Sequence, residues 1–439
     1  MIANYKLNEK LYESSRTVVF RGLRESDGLP IIFKMLKNEY PSSEEVARLR
    51  REFETASDIY FEGIARPYSI EKNKSTFFMV LEDFGGFSVD KVLASKKVLG
   101  ISTFLHLAIQ LANILGEIHH RGVIHKNISP SNIVWNSDNN EVKLIDFGIS
   151  AQLSWKNPDV QGTKVVEGSF AYISPEQTGR MNRVIDYRTD YYSLGVTFYE
   201  LLIGYVPFQY TDPMELVHCH LAKEAEAPHE INHEIPKVVS DIIMKLMSKM
   251  AEGRYQSTYG LMADLQRVQE QLRSTANIYD FPIGQKDISE QFRISQNLYG
   301  REKEMEVLMK VFGEVSKGSK EIVLVAGYAG VGKSSLVNEI QRLIAARNGY
   351  FISGKFDQFR RNVPYYSLIQ AFQGLVSQIL LESEEKITLW QEMLRKALGP
   401  NGQVITMVIP EMELIIGRQS DIPKLGPTES QNRFMGVCT

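Results

Sequence analysis

Short apolar runs punctuated by polar turns fill the first fifth of the chain, and longer helical periodicities follow. Residues 17–23 and 29–37 are rich in β-branched and aromatic side chains and flank Glu25, Ser26, Asp27 and Gly28, which predicts a hairpin. A helix opens after Pro41 and runs to Phe53, with Ser42 and Glu45 spaced for a capping box. Residues 76–81 form an apolar strand that passes through Glu82, Asp83 and Phe84 into Gly85 and Gly86. From 102 to 120, Phe104, Leu107, Ala108, Leu111, Leu115 and Ile118 recur at three- and four-residue spacing, predicting a core helix closed by Gly122. Polar residues around Phe281, Pro282 and Gly284 predict a linker over 273–297, which divides the chain into a first domain at 1–272 and a second at 298–439. In the second, a helix is predicted over 303–314, a buried strand over 321–326 and a helix over 335–344. Residues 404–411 are apolar, but Pro410 argues against a central strand and for helix and turn.

A length of 439 residues fits two or three domains, and 43% hydrophobic residues give each a core. The formal charge of -3 lacks the basic footprint of a nucleic-acid binder, so partners must be inferred from motifs. Cys219 and Cys438 lie far apart without ligand spacing, as in a reducing compartment. With no apolar run near the roughly 20 residues of a membrane span and no signal-peptide core, a cytoplasmic location is expected. His218, Cys219 and His220 resemble a ligand cluster but are expected to decorate a helix face.

The strongest single motif is Gly-Tyr-Ala-Gly-Val-Gly-Lys-Ser at 327–334, which satisfies G-x-x-x-x-G-K-[ST] between a predicted strand and a predicted helix. Gly327, Gly330 and Gly332 would let backbone amides approach phosphates, Lys333 would reach the β- and γ-oxygens, and Ser334 would bind Mg²⁺. No second apolar run ends in a usable acidic residue, and too few strands follow for a full parallel sheet, so this domain reads as truncated.

Residues 123–148 carry a second constellation: His125, Lys126, Asn127, Asn132, then Asp146, Phe147 and Gly148. It resembles the catalytic loop and metal-binding turn of a protein kinase, H-R-D-L-x-x-x-N followed by D-F-G. Residues 31–34, ending in Lys34, resemble the strand whose lysine holds the α- and β-phosphates, and Glu52 is then its helix partner. The resemblance further implies that Glu82 to Phe84 hold adenine through the backbone, with Leu81 at the back of the pocket. It also implies that Asn132 and Asp146 ligate Mg²⁺ and that Glu176 pairs with Arg254. The polar stretch containing Thr163 and Ser169 would be the activation segment.

Together these motifs resemble a bacterial Hanks-type serine/threonine kinase fused to a P-loop ATPase module, as in the N-terminal part of the hybrid serine/threonine kinase–sensor histidine kinase regulators of cyanobacteria. The fold expected is an α+β two-lobed protein-kinase fold followed by an α/β P-loop NTPase domain. ATP and Mg²⁺ are the expected cofactors. A protein substrate or signalling partner is implied, and the sensor-kinase module of such regulators is absent from this chain. Four departures bear on activity. The kinase pattern has Asp where this chain has Asn127, Arg where it has Lys126, usually Lys where it has Ser129, and glycines where residues 12–18 have none; the resembled regulators share the second and third, but not Asn127. An amide cannot accept the acceptor's proton, a contribution of roughly 10²–10⁴-fold. Three functions remain open: a kinase of reduced activity coupled to an ATP-binding regulatory module, a nucleotide-binding pseudokinase scaffold, and a P-loop signalling ATPase switch.

Overall fold

The computed structural model describes residues 4–73, 76–152, 169–180, 183–288, 300–328, 330–345, 349–356, 365–380, 382, 384–399 and 402–419. Thr163, the part of the join from 289 to 297, and Cys438 lie outside them.

The chain opens with β1 (Tyr5–Glu13), β2 (Thr17–Arg24), β3 (Pro30–Leu36), α1 (Ser43–Asp58), β4 (Pro67–Asn73) and β5 (Thr76–Glu82). The strands form one antiparallel sheet in the order β1-β2-β3-β5-β4. Strand alternation sorts β3 into two faces. Ile31 and Phe33 pack with Phe78 and Val80 on one side, with Tyr5 edge-on to Phe33 at 4.8 Å. Leu36 faces the other side, where Leu49 of α1 and Met79 complete a second cluster. Lys34, two residues before Leu36, shares that second face. Burying each such side chain contributes roughly 1.5–3 kcal/mol. Helix α1 carries the predicted capping box, Ser42 with Glu45, and its buried residues are Leu49, Glu52 and Ala56. The spacing places Glu52 on the inward stripe among apolar neighbours.

The second lobe follows with β6 (Phe87–Ser88), α2 (Val89–Lys96), α3 (Ile101–His120), β7 (Val123–Ile124), β8 (Ile133–Asn136), β9 (Glu141–Leu144) and β10 (Ala151–Gln152). Then come α4 (Arg188–Ile203), α5 (Pro213–Ala222), α6 (Pro228–Ile231), α7 (Lys237–Leu246) and α8 (Thr258–Thr275). By length and composition α3 is long and apolar enough to cross a membrane, the one such helix among the described residues, and half of that stretch is buried inside the fold. Ten of its residues are buried, Phe104 packs edge-on against Phe198 of α4 at 5.2 Å, and the helix forms the axis of the lobe's core.

Part of the segment read as a linker packs on this lobe. Ile278, Phe281 and Ile283 pack against this core, Arg267 stacks over Phe281 at 4.1 Å, and the Asp287 carboxylate accepts from the amides of Gln256 and Ser257 at the start of α8. Its apolar residues supply the docking that its polar, glycine-containing composition obscured. His220 and Cys219 are likewise buried, His220 bonding the Tyr192 hydroxyl at 2.9 Å, so they pack the lobe rather than decorate its surface. Among the described residues no cluster of three or more His, Cys, Asp or Glu groups could hold a metal.

The last part contains α9 (Glu302–Val315), α10 (Lys333–Ala345), α11 (Tyr366–Ile379), α12 (Glu384–Leu398), α13 (Gly402–Val408) and α14 (Glu413–Ile416). Val376, Ile379, Ile405, Ile409, Met412, Ile415 and Ile416 form its core. Residues 404–411 are helix and turn, as Pro410 required. The buried strand expected at 321–326 is not formed: these residues are irregular, and Ile322 and Leu324 are 98% and 90% exposed. An isolated apolar run gains no ladder hydrogen bonds, and among the described residues no strand of this half pairs with it.

Candidate functional site

A cavity of about 350 Å³ lies between the two lobes, walled by the lower face of the sheet, α1 and the loop after β7. Lys34 reaches into it from β3, and its Nζ donates to both Glu52 oxygens at 2.7 Å and to Asp146 Oδ1 at 2.8 Å. Burial works against the ammonium, yet Asp146 and Glu52 together raise its pKa above the ordinary lysine value. Burial pushes Asp146 upward too, but Lys34 outweighs it and holds that carboxyl at about 2. For Glu52 burial prevails over Lys34 and the pKa rises. The centre therefore keeps a fixed cation beside an ionised carboxylate at neutral pH.

The loop from His125 to Asn132 is held from below. The fully buried Asp190 carboxylate accepts from the amides of His125 and Lys126 at 2.9 and 2.7 Å and from His119 Nε2 at 2.8 Å. This grip sustains Lys126 at φ 66°, a left-handed conformation that costs a β-carbon-bearing residue about 1–3 kcal/mol. His125 Nδ1 accepts from the Asn127 amide at 3.3 Å, so the proton sits on Nε2, which donates to the Ile145 carbonyl at 3.1 Å. Burial lowers the His125 pKa, consistent with that neutral tautomer. Its ring meets Phe147 edge-on at 4.8 Å and so supports Asp146, also left-handed at φ 69°.

Asn127 Nδ2 donates to Asp146 Oδ2 at 3.4 Å, and Asn132 Nδ2 donates to the Asn127 carbonyl at 2.8 Å. The second bond engages the Asn132 amide nitrogen and leaves Oδ1 as the atom that could face a cation. Asp146 and Asn132 thus offer oxygen donors to a hard cation. Two side chains suit Mg²⁺, which keeps waters and takes further oxygens from phosphates. Ser129 is buried and its hydroxyl lies 2.9 Å from that of Ser131.

Leu81, Glu82 and Phe84 all line the cavity. The Glu82 side chain bonds Lys143 at 2.9 Å and its amide donates to the Arg66 carbonyl, while the Phe84 carbonyl accepts from Asn136. A brace not evident from the sequence is Arg21 of β2, whose guanidinium grips Asp83 at 2.7 and 3.4 Å and the Gly86 carbonyl at 2.8 Å. Arg16 and Arg48 also line the cavity. At the turn where glycines were missing, Ser14 Oγ accepts from the amides of Arg16 and Thr17 at 3.2 and 3.0 Å, so those amides are already engaged. Below the site, the wholly buried Arg254 forms a bidentate pair with Glu176 at 2.7 and 2.8 Å. Burial raises the Glu176 pKa, but Arg254 and Thr189 hold it at about 2.

In the last part of the chain, Gly330 and Gly332 adopt φ 80° and 91°, which only glycine takes without strain. Lys333 Nζ folds back onto the carbonyls of Gly327 and Tyr328 at 2.8 and 2.7 Å, and Ser334 is the second residue of α10. The loop thus leads into the N-terminus of α10 with its lysine folded back over it.

Residues 5–268 match the protein kinase domain model, and residues 297–439 match the AAA ATPase domain model. The hybrid signal transduction histidine kinase G of Dictyostelium discoideum is 34% identical over 425 residues, covering 76% of this chain and 12% of that protein. A probable serine/threonine-protein kinase of Clostridium acetobutylicum is 30% identical over 265 residues, covering 60% of this chain and 40% of that one. Serine/threonine-protein kinase PrkC of Bacillus subtilis is 28% identical over 236 residues, covering 54% and 36% respectively. The chain thus spans well under half the length of each of these relatives.

Proposed function

Because the chain belongs to the protein kinase family, we propose that residues 1–272 transfer phosphoryl groups from ATP to serine or threonine hydroxyls of a protein, at a rate reduced by Asn127. Residues 298–439 act in this reading as an ATP-binding regulatory module in signal transduction. The observation that carries it is the junction of Lys34 with both Glu52 and Asp146 inside the interlobe cavity.

Serine/threonine kinases and P-loop ATPases use ATP with Mg²⁺, the metal neutralising charge on the transferring phosphate. Lys34 grips the phosphates, with Glu52 fixing its position. The segment from Leu81 to Phe84 receives the adenine. Asp146 and Asn132 hold the metal. Asn127 positions the acceptor hydroxyl by hydrogen bonding but takes no proton from it, so positioning and electrostatics must supply the rate. Gly327, Gly330, Gly332, Lys333 and Ser334 form the second nucleotide site.

Asn127 Nδ2 bonded to Asp146 supports a second reading, a pseudokinase scaffold whose nucleotide-bound form is recognised by a partner. Both readings require ATP in the cavity. A thermal-shift titration with ATP and Mg²⁺ on the full chain carrying Lys333→Ala should raise the first domain's melting temperature. Adding Lys34→Ala should abolish the shift. No shift in the Lys333→Ala chain refutes both readings and leaves the P-loop switch.

A further inference from the structure

The P-loop half lies against one particular face of the second lobe. Helix α10, which starts at Lys333, packs on α5. Glu339 of α10 pairs with Arg183 at 3.6 Å, and Lys386 of α12 reaches Asp212, the N-cap of α5, at 3.7 Å. Arg180 is the buried centre of the contact, 3.7 Å from Glu382 and 5.8 Å from the Tyr350 ring. Glu382 is held in turn by the Tyr350 hydroxyl at 2.7 Å.

That face is tied directly to the catalytic loop. Gln177 Nε2 donates to the Lys126 carbonyl at 2.9 Å, one residue before Asn127. Gln177 is also bonded to Ser174, and Thr178 links the Pro175 carbonyl to the Arg180 amide. Residues 174–180 are therefore a short, stiff path from Asn127 to the docked module. A polypeptide that reaches Asn127 along residues 174–180 meets the P-loop half at Arg180. The mixed charges of the face, Arg180 and Arg183 beside Asp212, are each met by an opposite charge from the module.

We propose that Arg180, Arg183 and helix α5 form a docking surface for which the chain's own P-loop half and a protein acceptor compete. Docking keeps acceptors out; release admits them. This inference rests on the kinase reading of the interlobe site.

Glu339→Lys and Lys386→Glu, combined in the full chain, break the two outer ion pairs while leaving the kinase sequence untouched. Hydrogen exchange of residues 213–222 should quicken about tenfold, the change expected from losing two partly exposed pairs. The charge-keeping control, Glu339→Asp with Lys386→Arg, should leave protection unchanged; Asp212 stays in place because its carboxylate caps α5 at the Met214 amide. Transfer to casein is then measured in an Asn127→Asp, Lys333→Ala background, where a rise of about threefold or more in kcat/KM for casein, with KM for ATP unchanged, is expected. Unchanged exchange overturns the docking. Faster exchange without a gain in casein transfer overturns the competition. No transfer in any version, with the exchange result as expected, removes the kinase reading and with it the competition, leaving the docking contact alone.

Discussion

Replacing Asn127 by Asp tests the site through two effects with different signs. The Nδ2 atom lies 3.4 Å from Asp146 Oδ2 and donates to it. A carboxylate there turns an attraction into a repulsion of about 5 kcal/mol at an effective dielectric of about 20. Lys34, 2.8 Å from the other oxygen of Asp146, offsets part of this, and so does the partial exposure of Asp146. A net loss of about 2 kcal/mol is expected in the metal-free protein, or roughly 4–8 °C in the melting temperature of the first domain. With Mg²⁺ and ATP the added charge meets a cation, so the deficit should close. Transfer should rise by about 10²–10⁴-fold, the usual contribution of a general base. The assays are thermal melts with and without Mg²⁺ and ATP, and phosphate transfer in the Lys333→Ala background. Identical melts in all conditions together with unchanged transfer would refute the placement of Asn127 beside the metal and the acceptor.

Glu176→Gln leaves the buried Arg254 without its counter-charge and should cost about 3–5 kcal/mol in denaturant unfolding at pH 7. The ionised pair also predicts a pH signature. Glu176 is lowered from 4.5 to about 2 on folding, so its contribution of about 3 kcal/mol is present above pH 4.5 and lost as the pH falls toward 2. The gap between the native chain and Glu176→Gln should narrow over that window; a constant gap contradicts the assignment. Arg16→Ala should weaken ATP about five- to tenfold while sparing adenosine, because the turn's engaged amides leave the side chain to meet the phosphates. Calorimetric titrations giving equal losses for both ligands exclude that role.

In the first lobe Lys34 and Glu52 were legible through the kinase resemblance, and the fold supplies the physical reason they meet: period-2 alternation sends Lys34 to the α1 side of the sheet, and Glu52 stands with Leu49 and Ala56 on one helical stripe. The lower lobe was legible through ordered motifs, since nothing local to Glu176 points to an arginine 78 residues away. Arg21, Arg16 and the contacts around Arg180 were not legible. A long cationic side chain on a strand, turn or loop carries no address in sequence and acquires one only in the folded chain. The misplaced strand at 321–326 has a different origin: apolar composition predicts burial, but a strand exists only with a partner. In residues 277–288, Phe281 and Asp287 do packing and capping in a stretch whose composition suggests neither.

The central claim is that this cavity transfers phosphate with an amide where kinases carry a carboxylate. The most direct test is γ-phosphate transfer from ATP to the chain itself and to casein, in Lys333→Ala protein with Asn127 as found, alongside the same protein carrying Lys34→Ala. The account predicts slow, Mg²⁺-dependent transfer that disappears with Lys34→Ala. ATP binding without any transfer contradicts it and makes the first domain a nucleotide-reading scaffold.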